Sequence, residues 1–78
     1  MNMFESQSAA MAMMDYVEDV RKKRGISTQD IERKTAISRV TYYHYREGEN
    51  TPTVDRFLRI ADAVGLKVVL LPKVEVRQ

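Results

Sequence analysis

The sequence predicts an all-α domain of four to five short helices, ending in a C-terminal β-strand expected to pair in a dimer. Three observations carry that expectation. Between residues 9 and 66, apolar residues recur at spacings of three and four, as one face of a helix requires. The chain has three glycines, Gly25, Gly48 and Gly65, and each lies just past a segment with that pattern, where a left-handed residue closes a helix. After Gly65 the period changes from helical to alternating in "LKVVLLPKVEVRQ".

The first eight residues are polar and unpatterned, and fraying is expected there. From Ala9 a stripe runs through Ala10, Met13, Val17 and Val20, with Met14 and Tyr16 alongside. Lys and Arg fill its last turn and Gly25 follows, which suits the negative end of a helix dipole and its stop. All five methionines lie in the first fourteen residues. They read as gap-filling core, the alternative being an adaptable docking face.

A second helix starts at Ser27, where "STQD" places a hydroxyl three residues before a carboxylate, a capping-box pattern. Ile31 is its apolar anchor and it ends near Lys34. The link "TAIS" turns Ile37 inward, and Ser38 caps a third helix, Arg39 to Arg46, that stops at Gly48. Pro52 and the N-cap Thr53 introduce a fourth helix, with Asp55 in its first turn and Phe57, Leu58, Ala61 and Val64 as its buried stripe. In the tail, Val74 and Val76 alternate with Lys73, Glu75 and Arg77, and Pro72 marks a bulge or the strand's end. One strand cannot form a sheet alone. The same strand of a second subunit is its expected partner, through Val68, Val69, Leu70 and Leu71; the alternative is an irregular tail packed on its own helices. The chain therefore divides into a flexible N-terminus (1–8), a helical domain (9–66) and a dimerisation arm (67–78).

At 78 residues the chain is one domain near the lower limit for a self-sufficient core. Without cysteine it has no disulfides and no thiolate zinc site. His44 is the only histidine, so no paired-histidine metal site exists, and no cofactor is implied. No glycine is spent on a phosphate-cradling loop. Ser27 and Ser38 read as caps rather than nucleophiles, and the acid pairs Glu18–Asp19 and Glu47–Glu49 sit in polar surroundings; an enzyme is not expected. The start lacks a basic n-region and carries Glu5, and "VVLL" is too short to span a bilayer. The expectation is a cytoplasmic protein with no membrane partner.

Charge is unevenly spread. The net is only +2, yet residues 20–46 carry eight bases (Arg21, Lys22, Lys23, Arg24, Arg33, Lys34, Arg39, Arg46) against Asp30 and Glu32. Residues 1–19 carry four acids and no base. The basic block coincides with the aromatic run Tyr42, Tyr43, His44 and Tyr45. Such a concentration suits a face that meets a polyanion; basic but merely solvated helix faces are the alternative.

Two short helices joined by a four-residue turn describe a helix-turn-helix. The segment "RKKRGISTQDIERKTAISRVTYYHYREGENTPTVDRFLRIADAVGL" resembles more closely the lambda-repressor/Cro type of DNA-binding domain, the XRE family. The likeness covers residues 13–66: "RGIS" before the second helix, Ile31 within it, "ISR" opening the third, "EG" closing it, "NTPT" in the loop, and "LRIADAVGL" as the fourth helix. It implies a lambda-repressor-like fold whose third helix enters the major groove of double-stranded DNA. Carried over by position, Arg39, Val40, Tyr43 and His44 are the base-contacting candidates, while Tyr42 and Tyr45 face the core. Thr28 and Gln29 at the second helix's start, and Asn50, Thr51 and Thr53 in the following loop, are the candidates for phosphate contacts.

The chain departs from the family pattern at four places. Thr28 replaces the usual glutamine and Glu32 a small alanine, so Glu32 must find a base (Arg39 or Arg46) or solvent. Ala36 replaces the turn glycine, at a cost on the order of 1 kcal/mol if that position needs positive φ. Arg46 stands where an acid often pairs with the first-helix arginine, here Arg21, so that pair cannot form as usual.

The expected function is a sequence-specific transcriptional regulator, a small dimeric repressor reading a two-fold operator with helix 39–46. The alternative is an antitoxin-like interaction module that binds a partner protein such as a toxin, with DNA binding secondary. The "GLKVVLLPK" ending resembles that of some antitoxins of this family.

Overall fold

Good helix formers without an interrupting Gly or Pro continue a helix whether or not they carry a stripe, and the N-terminal segment follows that rule. In the computed structural model, which describes residues 3–74, helix α1 spans Met3–Lys23, so it begins well before Ala9. Helix α2 (Thr28–Thr35), α3 (Arg39–Arg46) and α4 (Val54–Ala63) follow the predicted order, and no further element occurs among the described residues. Each start is held by the predicted cap. The Ser27 side chain accepts from the Asp30 N–H, completing a capping box, while Ser38 accepts from Thr41 and Thr53 from Arg56.

The core is assembled from all four helices. Val17, Ile31, Tyr42, Ile60 and Val64 are 1% exposed or less, and Met14, Ile37, Tyr45 and Ala63 complete the buried cluster. Full burial of each aliphatic side chain is worth about 1.5–3 kcal/mol. Helix α2 packs on both α3 and α4, and α1 packs on α3.

Two predicted stripes are rotated. On α1 the inward residues are Met14, Val17 and Glu18, while Met13 and Tyr16 are exposed and Ala10 and Val20 half-buried. An apolar pattern cannot include Glu18, and its burial turns the helix towards that residue. On α4, Ile60 and Ala61 are fully buried with Val64, Phe57 is half-buried, and Leu58 faces outward.

The predicted β-strand is absent among the described residues. Residues 67–74 form no strand, and Val68, Val69, Leu70 and Leu71 are exposed, Leu70 almost fully. A strand is defined by a neighbour's hydrogen bonds, and this helical chain offers no such edge. The alternation expected at Glu75, Val76 and Arg77 lies outside the described residues. Among those described, no helix is long and apolar enough to cross a membrane.

Candidate nucleic-acid interface

The turn between α2 and α3 sets the direction of α3, and it is held from several sides. Ala36 closes α2 in the left-handed conformation at φ 63°, with its N–H donating to Glu32 O at 2.8 Å. The site therefore does require positive φ, and alanine bears the strain that glycine would relieve. Buried Thr35, which carries no signal in its local sequence, compensates. Its hydroxyl donates to Ile31 O at 2.7 Å and accepts from the Ile37 N–H at 3.1 Å. From α4, Arg59 Nη1 donates to Thr35 O at 3.0 Å while its guanidinium pairs with Asp55. Gly48 ends the other side of α3 at φ 79°, where an added Cβ would press on the Met11 side chain at 3.0 Å.

Within α3, a step of about 100° per residue separates two faces. Tyr42 and Tyr45 point inward, 1% and 6% exposed. The Tyr45 hydroxyl accepts from Arg56 Nη1 at 2.8 Å. Arg39, Val40 and Tyr43 are exposed on the opposite side, Val40 by 67% and Tyr43 by 47%, and His44 is half-buried at the edge of that face. Tyr43 meets His44 edge to face with ring centroids 5.9 Å apart, and the Arg46 guanidinium sits 5.3 Å from the Tyr43 ring centre. The aromatic run thus serves two purposes, two rings anchoring the helix and two offered to the outside.

The anchor beneath α3 is a buried carboxylate. Arg21 Nε and Nη2 donate to Glu18 Oε1 and Oε2 at 2.9 and 2.6 Å, a bidentate pair. The Tyr42 hydroxyl donates to the same Oε1 at 2.8 Å, and Arg46 Nη1 to Oε2 at 3.1 Å. Arg21 also donates to Ile26 O at 2.7 Å, tying in the α1–α2 loop. Burial pushes the Glu18 carboxyl up, but the hydrogen bonds from Arg21 and Tyr42 and the charges of Arg21 and Arg46 outweigh it, and its pKa falls to about 2. Burial also raises the Tyr42 hydroxyl well above the usual range, reinforced by its bond to Glu18. Arg46, which takes the place of an acid, is therefore accommodated because the acid comes from α1.

This arrangement redistributes the basic block. Arg21, Arg24 and Arg46 are structural: Arg24 Nη1 donates to Val64 O at 2.8 Å and closes the end of α4. Lys23 pairs with Asp19, and Arg33 with Asp30, whose carboxyl is held below its ordinary pKa mainly by that guanidinium. Arg39 is half-exposed and pairs with Glu32 at 3.3 Å, as expected of a carboxylate at that position.

Of the candidate phosphate contacts, Gln29 is exposed and Thr28 half-buried, both in the first turn of α2. Asn50, Thr51 and Thr53 are exposed. The Thr53 hydroxyl accepts from the Arg56 N–H, which leaves its O–H free to donate to a phosphate oxygen. The N–H groups of Glu49 and Asn50 both donate to His44 O, folding the loop against the end of α3, and the Glu49 carboxylate contacts His44 Nδ1. The structure thus brings His44, Glu49 and Asn50 together. In the sequence Glu18 and Glu49 are members of the polar acid pairs Glu18–Asp19 and Glu47–Glu49, and the one signal for Glu18 is its place a helical turn before Arg21.

Comparison with known proteins bears on the whole arrangement. Searches of curated proteins and of solved structures returned no match. A family model described as "Helix-turn-helix" matches residues 17–71, well over half the chain, from the second half of α1 through α4. The chain belongs to this helix-turn-helix family, the XRE or Cro/C1 type of DNA-binding transcription regulator.

Proposed function

We propose that the protein is a sequence-specific double-stranded-DNA-binding regulator, a small dimeric repressor that reads a two-fold operator with α3. One observation supports this best: α3 is fixed by Tyr42 and Tyr45 and leaves Arg39, Val40, Tyr43 and His44 on one outward face. Arg39 would fork onto guanine O6 and N7, Val40 pack on a thymine methyl, and Tyr43 and His44 add flat surfaces with hydrogen-bonding edges. Thr28, Gln29, Asn50, Thr51 and Thr53 would position the domain on phosphates, contacts that fix register without reading sequence. Two copies would join through the exposed apolar segment Val68–Leu71.

Selection of bound duplexes from a random pool tests the reading. A two-fold motif with half-site centres about 34–36 Å apart supports it; a pool that never enriches refutes it. Removing residues 67–78 should turn dimer into monomer in sedimentation, and an unchanged dimer would refute the assigned interface.

A second reading, an antitoxin-like module whose main partner is a protein, is favoured by an apolar cleft. Met13, Val54, Phe57, Leu58, Val68 and Leu70 line it, with Thr51 and Pro52 of the loop after α3 at its edge. A stable complex with a co-purifying protein, without DNA retardation, would favour that reading over the first.

A further inference from the structure

Both groups of the α3 reading face that can carry positive charge there, Arg39 and His44, already touch a carboxylate of their own chain. Glu32 on α2 meets Arg39 at 3.3 Å, and Glu49 in the loop after α3 meets His44. Both acids are half-exposed and neither is locked by burial, with side chains 42% and 57% accessible. Exposed pairs of this kind are weak and exchangeable. They nevertheless place two negative charges on the surface proposed to approach a polyanion.

We infer that Glu32 and Glu49 are specificity-determining residues that hold the reading face off non-cognate DNA. The inference rests on the DNA-binding reading given above. On an arbitrary duplex, Arg39 and His44 must give up their carboxylates for phosphates, and the freed acids are then repelled by the same phosphates. Each acid therefore cancels part of the counterion release that drives non-specific binding. At a cognate site the exchange is complementary: Arg39 turns to guanine, and the freed Glu32 carboxylate accepts from a cytosine amino group, an acceptor-to-donor match available in the major groove. Discrimination then arises from a repulsion against wrong partners as well as an attraction to the right one.

Glu32→Gln tests this while keeping the side chain's shape, with Glu49→Gln as an independent second variant and thermal melting to confirm that each is folded. Titrations use a random-sequence duplex and the duplex enriched by selection, each over a salt series. Glu32→Gln should tighten the random duplex by about 5–10-fold at low salt and steepen its salt slope by up to about 0.9. Affinity for the selected duplex should tighten less than that for the random duplex, or fall, because the weakened cytosine contact offsets the relieved repulsion, so the ratio of the two affinities narrows and preference relaxes at one cytosine position. Equal tightening on both duplexes, or no change on either, would overturn the inference and leave the DNA-binding reading standing. If the wild-type protein retards no duplex at low salt, the DNA-binding reading itself fails and the inference with it.

Discussion

Replacing Glu18 by glutamine keeps the side chain's shape and removes the charge on which Arg21, Arg46 and Tyr42 converge. The magnitude follows from linkage. A carboxyl that titrates at about 2 in the fold, against 4.5 when unperturbed, contributes about 3 kcal/mol of pH-dependent stability, and its side chain is only 11% exposed. Removing one member of a buried ion pair costs a similar amount, about 3–5 kcal/mol, because the remaining charges stay buried without compensation. Because the folded pKa is depressed, this stability is fully present above the unfolded value of 4.5 and is lost as pH falls towards about 2. For a chain of 78 residues, whose total stability is on the order of 4–12 kcal/mol, Glu18→Gln should lower Tm at pH 7 by more than about 10 °C. Between pH 4.5 and 2 the wild type should lose stability more steeply than the variant. Melting by circular dichroism across that range reads both effects. A variant melting within about 2 °C of wild type at pH 7, or an identical acid dependence in the two proteins, would refute the assignment of Glu18 as the anchor beneath α3.

Three further outcomes are expected. Ala36→Gly relieves the left-handed strain at φ 63° and should stabilise the fold by about 0.5–1 kcal/mol in denaturant unfolding; a loss of stability would contradict the strain argument. Tyr45→Ala opens the core and should cost about 3–5 kcal/mol, whereas Tyr43→Ala, on the exposed face, should shift stability by less than about 1 kcal/mol. Arg39→Ala should weaken operator binding by about 1–3 kcal/mol and relax preference at one base position; equal losses on every sequence would make it a phosphate clamp instead.

What could be read in advance depended on how local the determining physics is. Ser27, Ser38 and Thr53 were legible because an N-cap is written in one hydroxyl and the N–H three residues later. The outward set Arg39, Val40, Tyr43 and His44 was legible through the family resemblance, which assigns Tyr42 and Tyr45 to the core, and those two rings are buried. Glu18 was not legible as an anchor: its bonds to Tyr42 and Arg46 span 24 and 28 residues, and an acid in a stripe is normally assigned to solvent. Apolar spacing alone centres the α1 stripe on Met13, which is exposed, because it leaves Glu18 out. The strand failed for a different reason, since alternation in residues 67–78 describes a preference that only a hydrogen-bonding neighbour can turn into a sheet.

Chemical-shift mapping of the backbone amides during titration with the selected duplex tests the central claim most directly. The largest shifts should fall on Arg39, Val40, Tyr43 and His44, with smaller ones at Thr28, Gln29 and the loop from Glu49 to Thr53. Shifts confined to the exposed tail and the outer side of α4, with α3 silent, would contradict the account.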